Sequence, residues 1–205
     1  MKNRKKLTTV CIAASVVCMV AMLLFVLNCC CPVIDFNDYK GFSYSPVSDY
    51  YAIKLNAPIG RENGYILYSL ADDPDNMFLQ PQSLVKLPRY LMARTDLKLP
   101  LPSKDLVERI EIEHSGRSLV LDSAKQDHLM GCFRGSDTME ADLIEEADAS
   151  FEVKIIFKNY PQIYYRTWIK RCGSEYVLLL ENKEVAAPID ESFMLEVLSG
   201  LALNK

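Results

Sequence analysis

The side chains best suited to chemistry in this 205-residue chain are two histidines, His114 and His128, and two cysteines of the long C-terminal region, Cys132 and Cys172. His128 and Cys132 are spaced i, i+4, so on a helix they share one face. A thiol beside an imidazole is the start of a cysteine nucleophile. None of the local signatures of cysteine hydrolases accompanies the pair, and the spacing also fits a small core residue with a surface histidine one turn away. As metal ligands the four residues match no zinc spacing, and there is no C-x-x-C motif. No cofactor and no metal is expected. Asp137, Glu140, Asp142, Glu145, Glu146 and Asp148 form an acidic run. Paired carboxylates can hydrolyse glycosides, but such runs are usually solvated faces. The Gly-x-Ser-x-Gly, Walker, dinucleotide-binding and His-Glu-x-x-His motifs are all missing.

A second group suits binding better than catalysis. Tyr160, Tyr164, Tyr165 and Trp168 crowd one stretch that ends at Arg171. An aromatic strand with an exposed face could hold a carbohydrate or the edge of another protein, although aromatic residues also favour strands for packing alone. Cys132 and Cys172 are candidates for a single disulfide in an oxidising compartment. The turn Asp72-Asp73-Pro74-Asp75-Asn76 does not match a calcium-loop pattern.

These residues follow an apolar N-terminal run. No charge occurs from Leu7 to Ile34, and Val10–Leu27 is almost wholly apolar. At about 1.5 Å per residue, a helix over 7–28 spans a hydrocarbon core of roughly 30 Å. The run is longer than a signal-peptide core, and no Ala-x-Ala-like site follows it. Cys29, Cys30 and Cys31 at its end are candidates for lipidation, which would also leave the chain membrane-attached. Lys2, Arg4, Lys5 and Lys6 precede the run. Basic residues stay on the cytoplasmic side, so the N-terminus is expected inside and the C-terminal domain outside. From Asp35 onward, 27 acidic residues face 19 basic ones, a net charge of −8. That balance argues against nucleic-acid binding, which needs phosphate-neutralising Lys and Arg.

The sequence predicts a basic stub over 1–6, a signal-anchor helix over 7–28 and a juxtamembrane linker over 29–49. Phe36, Tyr39 and Phe42 of the linker are suited to the lipid interface. An extracytoplasmic domain over 50–205 follows, with an internal boundary near 100–103 at Leu-Pro-Leu-Pro. Strands are expected over 50–56 and 65–70, as a hairpin with a long connection, and a short helix or strand near 89–95. A hairpin is expected at 106–121, turning at Ser115-Gly116, then a helix from Asp122 or Ser123 to about Phe133. Phe151, Val153, Ile155 and Phe157 alternate with Glu152 and Lys154, opening a three-strand meander over 151–180. Phe193, Met194, Val197, Leu198 and Leu201 mark a C-terminal amphipathic helix that covers one face of the sheet. The expected class is α+β.

In layout the chain resembles small anchored ectodomains and lipoproteins of bacteria, and no motif ties it to a named family. The expected function is a membrane-anchored binding or interaction module whose ligand is a protein or a carbohydrate. A cell-envelope hydrolase and a regulatory partner subunit of another membrane protein are the alternatives.

Overall fold

The computed structural model describes residues 15, 17–22, 32–83, 90–133, 139–140, 147–180 and 185–203. The expected anchor falls mostly outside them. Residues 17–22 are helical; among the described residues no helix is long and apolar enough to cross a membrane.

The domain is a sheet-rich α+β fold with two antiparallel sheets and a C-terminal helix. The first sheet contains β1 (Tyr44–Val47), β3 (Leu55–Glu62), β4 (Tyr65–Leu70), β5 (Phe78–Gln82) and β6 (Leu91–Arg94), in the order β1-β6-β5-β4-β3. The second contains β7 (Val107–His114), β8 (Arg117–Val120), β9 (Met139–Glu140), β10 (Ala149–Phe157), β11 (Tyr160–Cys172), β12 (Glu175–Leu180) and β13 (Val185–Ile189). Its order is β8-β7-β10-β11-β12-β13-β9, and the short β2 (Tyr50–Ala52) pairs with β11. Among the described residues two helices complete the domain, α1 (Ser123–Cys132) and α2 (Glu191–Leu203).

Period-two patterning explains the large sheet. Phe151, Val153, Ile155 and Phe157 of β10 face the main core, as do Ile163, Tyr165 and Ile169 of β11. Leu129 and Met130 of α1 and Phe193, Met194, Val197 and Leu201 of α2 close over the same core, which Leu70, Phe78, Leu91 and Ala93 of the first sheet also join. Fully buried side chains such as Ile110, Ile112, Ile155 and Phe157 each contribute roughly 1.5–3 kcal/mol relative to exposure. One core thus spans both sides of residues 100–103. Tyr50 donates its hydroxyl to the Pro100 carbonyl at 2.6 Å, so the proline-rich stretch is bound to the fold rather than dividing it.

The α1 start follows its sequence: Asp122 Oδ1 accepts the Lys125 N–H at 2.9 Å, capping the first turn. The β7–β8 turn at Ser115-Gly116 has both residues at positive φ, as a tight hairpin turn requires. The β3–β4 connection differs from expectation. It is a two-residue turn at Asn63-Gly64, also at positive φ, because β3 runs through Pro58 and Gly60 with shifts of register. An edge strand tolerates proline since one side needs no ladder partner.

Residues 32–44, expected as part of a linker, are a built part of the domain. Ile34, Phe36 and Tyr44 are buried in a second core against Tyr65, Leu67, Leu79 and Met92, on the opposite face of the first sheet. The Ile34 N–H donates to Arg61 O at 2.9 Å and the Arg61 N–H to Pro32 O at 2.8 Å, a parallel bridge along β3. Phe36 is therefore a core residue, not a lipid-facing one. Phe42 stays partly exposed beneath Arg94, whose guanidinium lies 3.5 Å from the ring centre.

Candidate functional site

Alternation along β11 divides the expected aromatic cluster. Tyr165 is buried in the main core, and Tyr160 packs against that core, edge-on to Phe78 at 5.8 Å. Tyr164 and Trp168 stand on the outer face, the side turned away from the helices. Arg171 lies at the exposed strand end, where its Nε donates to Gly173 O at 2.9 Å and its guanidinium sits 5.9 Å from the Tyr176 ring. The structure keeps Tyr164 and Trp168 together and separates the other three from them.

The outer face gains partners that do not cluster in sequence. Register pairs Tyr164 with Tyr51 of β2 and with Ile156 of β10, Arg166 with Lys154, and Trp168 with Glu152. Lys154 and Glu152 are in turn opposite Glu111 and Glu113 of β7. The Tyr51 and Tyr164 rings stack at 5.7 Å. The Arg166 guanidinium covers Tyr51 at 3.7 Å and lies 5.7 Å from Trp168, while Lys170 approaches Trp168 at 5.6 Å. Lys154 Nζ bonds Glu113 Oε2 at 2.5 Å and lies 4.0 Å from Glu152. These rings already carry cations against them, so the face is a charged, aromatic lattice rather than a bare stacking platform. Toward β12 and β13 it becomes apolar, with Val177, Leu179 and Ala186 buried beside Trp168, Cys172 and Ala147.

Electrostatics follow from partial burial. Desolvation pushes the Tyr164 hydroxyl above its usual range, aided by the charge of Glu152, so it holds its proton. For Lys154 burial works against the charge, but the Glu113 hydrogen bond and the charges of Glu152 and Glu113 outweigh it and raise the ammonium above the ordinary lysine value. A recess of about 190 Å³ opens on this face. Arg109, Glu111, Lys154 and Tyr164 form its polar wall, and Ala52, Ile53 and Ile156 supply apolar lining. Gln162, two residues before Tyr164 on the same face, is buried, and its Nε2 has no hydrogen-bond partner among the described residues. The sequence signal for this site is the polar half of the β10 alternation, Glu152 and Lys154, which gains meaning only when β7, β11 and β2 are placed beside it.

His128 and Cys132 do share α1, with other partners than each other's reactive atoms. The Cys132 thiol donates to the His128 backbone carbonyl at 3.6 Å. Burial pushes that thiol up, and the charge of Asp190 adds to the effect. The His128 ring stacks on Phe193 at 4.8 Å, with Nε2 3.5 Å from Asp190 Oδ2. His128 and Asp190 line a groove of about 520 Å³ between the starts of α1 and α2, and Cys132 does not. His114 contacts Ser150 O through Nδ1 at 2.9 Å and packs on Phe151. Of the acidic run, Asp148 accepts the Gly173 N–H at 2.9 Å. Asp137, Asp142, Glu145, Glu146 and the Glu140 side chain lie outside the described residues, as do Cys29, Cys30 and Cys31. Among the described residues no group of three His, Cys, Asp or Glu is placed to hold a metal ion.

The expected disulfide is not formed. Cys132 and Cys172 are free thiols. Cys132 packs against the main core and Cys172 against the apolar patch of the outer face. The sheet lies between them, and a disulfide needs Cα atoms within about 7 Å.

Compared with known proteins, the chain matches no family model, no curated protein and no solved structure.

Proposed function

We propose that the chain is a membrane-anchored binding module, held by a helix over residues 7–28 with its domain outside the cytoplasm, and that the outer face of the large sheet is its binding surface. The observation that carries this reading is the division of the sheet. One face is closed by both helices and the first sheet, while the other presents Tyr51, Tyr164, Arg166, Trp168, Glu152 and Lys154 at intermediate exposure, with Tyr164 and Lys154 lining a recess. Aromatic and arginine side chains set among exposed charges suit recognition of a polar partner. The apolar run and the basic cluster before it support the anchor and its direction. The hydrolase alternative draws no support from Cys132, whose thiol is bonded to a backbone carbonyl and held protonated.

Two measurements test the reading on the full chain in cells. A cysteine placed at exposed Arg117 (R117C) is expected to react with a membrane-impermeant maleimide in intact cells; reaction only after permeabilisation overturns the outside placement. A photo-crosslinking residue at position 164 is expected to give a saturable adduct that the same residue at exposed Leu195 does not give. Equal adducts at both positions, or none at either, overturn the assignment of the face.

A further inference from the structure

We infer that the recess bounded by β2, β7, β10 and β11 binds a small zwitterion of the α-amino-acid type. The inference rests on the binding-module reading above and narrows it to a ligand class.

Size comes first. Sites for drug-sized ligands span roughly 300–1,000 Å³. A recess of about 190 Å³ lies below that range, which suits a molecule of a few heavy atoms.

Charge comes second. Arg109 uses Nε on Glu111 Oε1 at 2.8 Å, and its Nη1 lies 3.6 Å from Glu108. Its Nη2 has no acceptor among the described residues. Lys154 places one short hydrogen bond on Glu113 and has three N–H donors. Glu111 Oε2 and the Tyr164 hydroxyl have no hydrogen-bond partner among the described residues. Two cations with unused donors therefore border the same space as a carboxylate with an unused oxygen. A guanidinium and an ammonium suit a ligand carboxylate, and Glu111 suits a ligand ammonium. A simple anion would leave Glu111 facing like charge, and a simple cation would face Arg109 and Lys154.

Shape comes third. Ala52, Ile53 and Ile156 give the recess an apolar side, where a short aliphatic side chain removes both itself and the wall from water. The Tyr164 hydroxyl, whose pKa burial pushes further above the ordinary 10.0, adds a neutral donor. The partial exposure of Glu111 and Lys154, each about a quarter accessible, keeps their charges reachable by a solute.

The test is calorimetric titration of the full chain in detergent micelles. The probes are L-valine, valinamide, which lacks the carboxylate, and isovalerate, which lacks the ammonium. Valine is expected to bind, with each analogue weaker by about tenfold because it forgoes one of the two charge-assisted contacts. Glu111→Gln is expected to weaken valine and to strengthen isovalerate, which no longer faces a like charge. Arg109→Gln is expected to weaken valine and to strengthen valinamide, which no longer faces that like charge. Circular dichroism and a melting curve identical to the parent's establish that each variant is folded. Equal affinity for valine and isovalerate overturns the zwitterion assignment, as does unchanged valine affinity in folded Glu111→Gln. Absence of any valine heat overturns it too. A position-164 adduct that persists without valine binding separates failure of this inference from failure of the binding-face reading.

Discussion

The guanidinium of Arg166 lies 3.7 Å from the centre of the Tyr51 ring and donates to that residue's hydroxyl. One side chain thereby fastens β2 to the outer face of β11, and it also lies 4.0 Å from Glu152. Arg166→Ala is expected to destabilise the domain by about 1–2 kcal/mol, from a partly desolvated cation–π contact and a lost hydrogen bond. Arg166→Lys should recover little of this, because a compact ammonium cannot both stack on the ring and reach the hydroxyl as a planar fork does. Urea unfolding of the parent, both variants and a Tyr51→Phe cycle measures the effect. A folded Arg166→Lys as stable as the parent would remove the geometric argument.

Gly60 and Ile34 meet where residues 32–34 run beside β3. A Cβ at position 60 would collide with the Ile34 side chain and lie 2.8 Å from Pro32 O. Gly60→Ala is therefore expected to cost about 1–3 kcal/mol as overpacking. Ile34→Ala alone should cost about 2–5 kcal/mol through its cavity. The double variant should fall short of the sum by about 1 kcal/mol, since removing one side chain makes room for the other. Strictly additive values would mean that residues 32–34 do not rest on β3 in solution.

The same segment shows where sequence patterning gives out. β10 and the C-terminal helix were legible because each has its own period, and α1 because Asp122 caps its first turn. Phe151 to Phe157 alternates cleanly, and Phe193, Met194, Val197 and Leu201 repeat at helical spacing. Ile34, Phe36 and Tyr44 follow no period, and the surface that buries them is built from Tyr65, Leu67, Leu79 and Met92 further along the chain. β5 and β13 each contain a proline, Pro81 and Pro188, which lowers a strand's local signal without preventing pairing. The recess was illegible for a related reason. Arg109, Glu111, Lys154 and Tyr164 become neighbours only through the antiparallel register of three strands. The aromatic cluster misled in the opposite way, because adjacent residues on a strand point to opposite faces.

Asp73 supplies a dependence on pH. It is buried and accepts the Met77 N–H at 2.9 Å and the Phe78 N–H at 2.8 Å, one on each carboxylate oxygen. Burial raises its pKa above the ordinary 3.8, against the lowering effect of those two hydrogen bonds. A carboxyl with a raised folded-state pKa favours the folded state most when protonated. Its contribution is fully present below pH 3.8 and is lost as pH rises through the raised value. Asp73→Asn removes this titration, and its amide cannot accept from both N–H groups, so the variant is less stable by about 1–3 kcal/mol. Melting curves from pH 3 to pH 7 should show the gap between parent and variant narrowing as pH rises. A gap that widens with pH would reverse the sign assigned to Asp73.

Cys132 and Cys172 face opposite sides of the large sheet, and that separation decides their chemistry. Both are expected to be alkylated after unfolding without reductant, and dithiothreitol is expected to leave the melting temperature unchanged. A mass two hydrogens lower in the linked peptides would show a disulfide and a different packing of α1. In the folded protein, burial and the charge of Asp190 hold the Cys132 thiol above its ordinary 9.0. Its reaction with iodoacetamide should therefore climb steadily with pH and still be climbing at pH 9, since the thiolate is the reacting form. A rate already at its plateau near neutral pH would place an activating group beside Cys132 and return the His128–Cys132 pair to consideration as a nucleophile.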